Sequence, residues 1–322
     1  MSVKDAVLAD LLRRRGEYLS GEELAGALKV SRSAIWKAIG QLREDGYRIE
    51  AVTNRGYCLA GGDVLSREGI LAHLKTPGLD VEVYSSVSST NTLLKAAAEN
   101  GAPEGSVIVA GEQTAGRGRL GRSFFSPPGT GLYLSLLLRP KESAEAALRI
   151  TTAAAVAVCE AIEALSGREA AIKWVNDVYM DGKKVCGILT EASLDLESGG
   201  LHYAILGIGV NALTPEGGFP EELRDIAGAV FEAEGEPELR CRLAAGILDR
   251  FLACYRAEEP GALLERYRRR CFVLGRRVTV LSGGLAIGEG EVVGLEPDYR
   301  LRLRYDDGTE GLLQSGEVSV LP

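Results

Sequence analysis

The seven residues Gly116-Arg-Gly-Arg-Leu-Gly-Arg122 hold three arginines and three glycines. Glycine lets a backbone bend sharply and approach a ligand closely. Arginine presents a fork of donors that matches carboxylate and phosphate oxygens. This composition suits a loop that holds an anion; the blander reading is a solvated basic surface loop. Gly116-x-Gly118-x-x-Gly121 also matches a dinucleotide fingerprint, but that motif requires a helix after the turn. Here Ser123-Phe-Phe-Ser-Pro-Pro-Gly129 follows, then the apolar run Leu132-Tyr-Leu-Ser-Leu-Leu-Leu138. The proline pair forbids a helix and the run reads as a strand, so the fingerprint is a decoy.

Other polar groups stand at strand ends or turns. Ser88-Ser-Thr-Asn91 opens a helix and offers hydroxyl and amide groups, with capping alone as the alternative. Gln113 precedes the arginine loop. Lys173-Trp-Val-Asn-Asp177 falls in a segment, Ala171–Met180, that reads as one strand. Alternation then puts Ile172 and Trp174 on one face and Lys173 and Val175 on the other, so Lys173 leaves the core face for a cleft or for water. Lys183-Lys-Val-Cys-Gly187 comes just after a turn at Asp181-Gly182. In Gly207-Ile-Gly209-Val-Asn211 the strand glycines leave room for the body of a ligand. His73 and His202 have no metal-ligand partner at a useful spacing, and the six cysteines form no CxxC pair. A zinc site or a Ser-His-Asp triad is therefore not expected, and the thiols read as reduced, in a cytoplasmic protein.

The elements that must position these groups divide the chain into three segments. In residues 1–60, Val7, Leu8, Leu11 and Leu12 form a helical stripe, Ser20-Gly-Glu-Glu23 caps a second helix, and Ser31 caps a third with Ile35, Ile39 and Leu42 on one face. Short strands at 47–52 and 57–59 follow. This predicts a winged helix-turn-helix over residues 1–62, ending at a Gly61-Gly-Asp63 linker. Ser31, Arg32, Ser33, Trp36 and Lys37 lie where a recognition helix meets base edges, and Arg55 lies at the wing tip. A protein-binding module is the alternative. Residues 63–271 read as a mixed α/β domain with a largely antiparallel sheet, including a long helix from Ala144 and a turn at Ser198-Gly-Gly200. Residues 272–322 hold five short strands between Gly and Asp turns and read as a small, SH3-like β-barrel. The fold class is thus α+β, multidomain.

Charge follows the same division. The net charge is −8, yet residues 1–60 carry ten Lys/Arg against eight Asp/Glu. The acidic whole argues against general coating of nucleic acid, while the balance of the N-terminal segment leaves room for a local basic face. No apolar run has membrane-spanning length and Met1-Ser-Val-Lys-Asp5 is no signal-peptide pattern, so no membrane partner is expected.

The ordered set Ser89-Thr-Asn91, Gln113-Thr-Ala-Gly-Arg-Gly-Arg119, Lys173-Trp-x-Asn-Asp177, Lys184-x-x-Gly187-Ile-Leu and Gly207-Ile-Gly-x-Asn211 resembles the biotin–protein ligases. With the N-terminal winged helix, the chain resembles the bifunctional type, both ligase and biotin operon repressor. One departure is Val175, where the family pattern usually has proline. The resemblance implies ATP, Mg²⁺ and biotin as substrates and cofactors. Biotin's carboxylate attacks the α-phosphate of ATP, giving biotinyl-5′-AMP and pyrophosphate. A lysine of a biotin carboxyl carrier domain then attacks the acyl carbon and AMP leaves. Two anions meet in the first step, so clustered cations are needed. Arg117, Arg119 and Lys173 are the implied catalytic groups. Ser89, Thr90, Asn91, Gln113, Gly116, Arg117, Gly118, Arg119, Lys173, Gly207 and Gly209 are the implied biotin site. Arg119, Arg122, Asn176, Lys184 and Asn211 are implied on the nucleotide side, with no dedicated protein metal site. The adenylate would act as corepressor for a homodimer on operator DNA of biotin genes. The alternatives are a catalytically inactive biotin-sensing repressor and a lipoate–protein ligase relative.

Overall fold

The computed structural model describes residues 2–140, 146–194, 201–232, 237–257, 260–282, 285–313 and 317–320. The chain divides into two compact units, one of Met1–Pro77 with Ala233–Gly246, the other of Gly78–Glu232 with Ile247–Pro322.

The first unit opens with α1 (Val3–Arg13), whose Ser2 and Asp5 form a reciprocal capping box. Helix α2 (Gly21–Leu28) is capped by the Ser20 hydroxyl and stops at Lys29, which is left-handed at φ 55°. Helix α3 (Arg32–Glu44) is capped by Ser31. The predicted stripes all face one core, where Val7, Leu8, Leu11, Leu24, Ile35, Ile39 and Leu42 are buried. An antiparallel pair, β1 (Arg48–Val52) and β2 (Gly56–Gly61), follows, then α4 (Arg67–His73).

The Gly61-Gly-Asp63 stretch is not a free linker. The Asp63 carboxylate accepts from Arg240 N at 2.9 Å and Arg240 Nε at 2.7 Å, and both side chains are nearly buried. Beside it, buried Glu238 receives Arg15 Nη1 and His73 Nε2, each at 2.7 Å. A buried charge is tolerated when paired and hydrogen-bonded, which ties residues 238–240 to this unit.

The second unit is built on a seven-stranded sheet of order β3-β4-β5-β9-β8-β7-β6. Its elements are β3 (Asp80–Tyr84), α5 (Thr90–Glu99), β4 (Ser106–Ala110), β5 (Gly131–Leu138), α6 (Ala146–Ser166), β6 (Ala171–Lys173), β7 (Asp177–Met180), β8 (Lys183–Leu194) and β9 (Leu201–Asn211). Among the described strands of this sheet, only β3 and β4 pair in parallel. Helix α5 packs on β4, β5 and β9, and α6 packs on β6 to β9. Central strand β5 is buried along its whole length, including Ser135, as an apolar run in mid-sheet requires. Helices α7 (Leu239–Ala257) and α8 (Pro260–Arg270) follow. The expected turn at 198–200 and the expected helix start at Ala144 lie outside the described residues.

One expected strand is broken. Residues 171–180 form two strands, β6 and β7, which pair with each other as Lys173↔Asp177. The chain turns at Trp174-Val175-Asn176, the Trp174–Val175 peptide is cis, and both residues are buried. Alternation therefore holds for Ile172 and Lys173 and fails beyond them. Long-range bonds replace the ladder: Trp174 Nε1 donates to Tyr299 O at 2.8 Å, and Tyr267 Oη donates to Val175 O at 3.1 Å.

The C-terminal strands are β10 (Arg277–Ser282), β11 (Leu285–Leu295), β12 (Leu301–Tyr305), β13 (Glu310–Leu313) and β14 (Glu317–Val320). They form an antiparallel sheet of order β13-β12-β11-β10-β14 over buried Val278, Val280, Val292, Leu301, Leu303 and Val318.

Candidate active site

A cleft with a cavity volume of about 450 Å³ opens in the second unit. Its lining includes Ser89, Thr90, Asn91, Gln113, Arg117, Gly118, Arg119, Arg122, Lys173, Asn176, Asp177, Lys184, Gly207, Gly209 and Asn211. The five separate sequence patterns thus meet at one place. Gly116 is buried at the root of the arginine loop, where an added Cβ would lie 2.5 Å from Phe124 O.

At one end, each buried polar group has at least one partner. Ser89 caps α5, accepting from Thr92 N. Thr90 N and Oγ1 donate to Gln113 Oε1 at 2.9 and 3.2 Å, and Gln113 Nε2 donates to Ser126 Oγ at 3.1 Å. Ser135 Oγ lies 2.6 Å from Asn91 Oδ1 and 2.8 Å from Thr90 Oγ1. Asn91 Nδ2 donates to Glu191 Oε2 at 2.8 Å. A polar network survives burial only when its members are satisfied, and these are. Ser135 stands out as the one aliphatic hydroxyl in an apolar strand; Glu191 carries no local signal.

The glycines of β9 make room for the chain's own side chains. A Cβ on Gly207 would lie 2.2 Å from Asn91 Oδ1, and one on Gly209 would lie 2.6 Å from the Phe124 ring. The space expected for a ligand above these glycines is thus taken by Asn91 and by Phe124, which also lines the cleft. Two apolar residues inside a Gly/Arg-rich loop were the available sign.

The arginine loop is a tight excursion. Phe124 N donates to Gly116 O at 2.9 Å and Gly118 N to Arg122 O at 2.7 Å. Its first two arginines diverge. Arg117 Nη2 pairs with Glu191 Oε1 at 3.1 Å, whereas Arg119 Nη1 donates to Asn176 Oδ1 at 2.8 Å. Asn176 Nδ2 donates to Asp177 Oδ1 at 2.9 Å, and Lys184 Nζ reaches the same carboxylate oxygen at 2.7 Å. Asn211 Nδ2 donates to Gly228 O at 3.0 Å. Lys173 Nζ stands 5.9 Å from the centre of the Tyr179 ring. Burial, then the Asp177 carboxylate, pushes the Tyr179 hydroxyl up to about 12. Burial likewise pushes the Cys186 thiol up, which makes it an inert core group rather than a nucleophile. Beyond the predicted residues, Phe125 and Phe219 meet edge to face at a ring distance of 6.4 Å, and Leu281, Val318 and Ser319 of the C-terminal sheet complete the lining.

In the first unit, Ser31 accepts from Ala34 N and lies 2.8 Å from Ser33 Oγ. Arg32, Ser33, Trp36 and Lys37 are exposed on α3, with Trp36 70% exposed. The Arg55 guanidinium lies 4.1 Å over the Tyr18 ring, and Tyr18 Oη donates to Glu50 Oε2 at 2.6 Å.

A basic cleft on a mixed sheet, joined in one chain to a helix-turn-helix, defines a class of ligase with a DNA-binding type of module. Residues 83–211 match the model of the Biotin/lipoate A/B protein ligase family, and residues 5–58 match an HTH domain. The chain is 40% identical to the bifunctional ligase/repressor BirA of Bacillus subtilis (strain 168), over 77% of this chain and 76% of that one. It is 30% identical to the protein of the same name from Salmonella typhimurium, over 95% and 94% of the two chains. The biotin protein ligase from Aquifex aeolicus, solved in complex with biotin and ATP, superposes with a TM-score of 0.60 at 30% identity, covering 75% of this chain and 98% of that one. The chain belongs to the family of bifunctional biotin–protein ligases and repressors.

Proposed function

We propose that this protein activates biotin with ATP, transfers it to a lysine of a biotin carboxyl carrier domain, and represses transcription in response to biotin supply. The observation that carries the ligase half is convergence: residues from 89 to 211, scattered over five patterns, line one cleft. In this reading Ser89, Thr90, Asn91, Gln113 and the Gly116–Gly118 backbone hold the biotin ring and tail. Gly207 and Gly209 seat Asn91 and Phe124 beneath it. Lys173, Arg117 and Arg119 offset the charge that builds as carboxylate meets triphosphate. Arg122, Asn176, Lys184 and Asn211 serve the nucleotide side.

Among the described residues no group of three or more His, Cys, Asp or Glu is placed to hold a metal. We place Mg²⁺ with the triphosphate, since this ion keeps most of its waters and binds through substrate phosphates, and no step here runs through it.

The DNA-binding half is supported by α3 and the β1–β2 ribbon. We read residues 1–62 as a winged helix-turn-helix, 63–271 as the ligase domain and 272–322 as an SH3-like barrel. The surface of α3 at Ser31–Lys37 meets base edges and Arg55 meets a phosphate. Readers of this kind pair on two half-sites, so the functional form is a homodimer on operator DNA of biotin genes. No described helix is long and apolar enough to cross a membrane. All six cysteines are free and buried, as suits a reducing compartment, and we read the protein as cytoplasmic on that ground.

The test is incubation with Mg-ATP, biotin and a carboxylase carrier domain, probed for biotin on the carrier. Labelled carrier is expected. Lipoate transfer without biotin transfer would overturn the reading. Biotin-dependent DNA binding without any transfer would replace it with an inactive sensor.

A further inference from the structure

We infer that Glu191 is a positioning residue that docks the root of the arginine loop onto the sheet, and so sets how tightly the cleft takes the biotin carboxylate's half of the reaction. The inference rests on the ligase reading above.

Glu191 lies on β8, outside the lining of the cleft, and its side chain is 29% exposed. Its two oxygens serve two partners. Oε2 accepts from buried Asn91 Nδ2 at 2.8 Å, and Oε1 pairs with Arg117 Nη2 at 3.1 Å. Asn91 is itself fixed, because its Oδ1 nests over Gly207 and faces the buried Ser135 hydroxyl at 2.6 Å. A chain of contacts therefore runs from the core, through Ser135, Asn91 and Glu191, to a half-exposed arginine of the loop.

The geometry has a chemical consequence. A carboxylate free to face the ligand would repel an anionic substrate, whereas Glu191 has one oxygen on Asn91 and the other on Arg117. With Arg117 held there, the next arginine, Arg119, reaches a different partner, Asn176, whose backbone carbonyl accepts from Ile188 N, three residues from Glu191 on β8. Glycines flank Arg117 on both sides, so the loop has little stiffness of its own and depends on such an anchor. A partly exposed ion pair contributes only modestly, and the Asn91 bond adds a comparable amount. The effect belongs in the occupancy of the ordered loop rather than in the chemical step.

The experiment compares Glu191→Gln and Glu191→Ala with wild-type protein in single-turnover biotinyl-5′-AMP formation. Glu191→Gln keeps an acceptor for Asn91 and loses the charge toward Arg117. We expect the biotin KM to rise roughly fivefold in Glu191→Gln, and on the order of tenfold in Glu191→Ala, with kcat within about twofold of wild type. Trypsin cleavage after Arg117 and Arg119 should quicken in both. In an Arg117→Ala background, Glu191→Gln should add nothing, the signature of a shared contact. Unchanged KM and unchanged cleavage would overturn the inference. So would a loss of kcat that tracks a fall in Tm, since that marks a merely structural residue. If wild-type protein forms no adenylate, the ligase reading fails instead; if wild type is active and both variants match it, the anchor alone fails.

Discussion

Lys173 is the last residue of β6, at the point where the strand ends and the chain turns under the cleft. Its position follows from a pairing that ends at Lys173↔Asp177, so the ammonium leaves the sheet edge beside the Asp177–Lys184 pair. A preorganised cation aimed at developing charge contributes most in the transition state. Lys173→Ala should keep the fold and cut adenylate formation by on the order of 10²–10³, read by single-turnover kinetics. A near-normal rate would make it a solvated sheet lysine. The residue types of this site were legible because charge in a turn and glycine in a strand are locally unusual. Glu191 was not, because an acid on a strand has no local oddity; only Asn91 and Arg117, distant in sequence, give it a role.

The elements differ in what holds them. The arginine loop is closed by the backbone pairs Gly116–Phe124 and Gly118–Arg122, while Leu120 at its tip is 64% exposed and left-handed at φ 56°. A short glycine-rich excursion with few apolar contacts opens easily and is stabilised by whatever binds it. Biotin with ATP should therefore slow proteolysis near Arg119; equal cleavage rates with and without ligands would contradict this. The Asp63–Arg240 contact is the opposite case, with side chains 6% and 9% exposed. Removing one partner leaves a buried charge alone, at a cost of about 3–5 kcal/mol. Asp63→Ala should lower the unfolding free energy of the first unit by roughly that amount, measured by denaturant titration of residues in α1 to α4. The helices here were legible from caps and periodicity, since both are set by residues within one or two turns.

At the scale of the molecule, the −8 net charge opposes approach to DNA, while residues 1–60 hold two more basic than acidic groups. One copy should bind weakly, and specific binding should need two copies on paired half-sites, with steep salt dependence. Biotin plus ATP should tighten binding to operator DNA of biotin genes in a gel-shift titration. Arg32→Ala combined with Lys37→Ala should abolish that binding while carrier biotinylation survives. Absence of specific binding under either condition would leave a ligase with a vestigial helix-turn-helix.

The helix-turn-helix, the five C-terminal strands and the glycine–arginine turn were all legible in the sequence. These are readable because a cap, a period or a glycine turn is decided by neighbouring residues. The strand order, the break of residues 171–180 into two strands, and the joining of residues 238–240 to the N-terminal unit came only with the packed chain. Each rests on distant partners. Trp174 is held by a carbonyl 125 residues away, and Val175 by a hydroxyl 92 residues away. Asp63 finds Arg240 across 177 residues. No local pattern encodes such partners, because burial makes a polar group take whatever donor or acceptor the packed chain brings within reach.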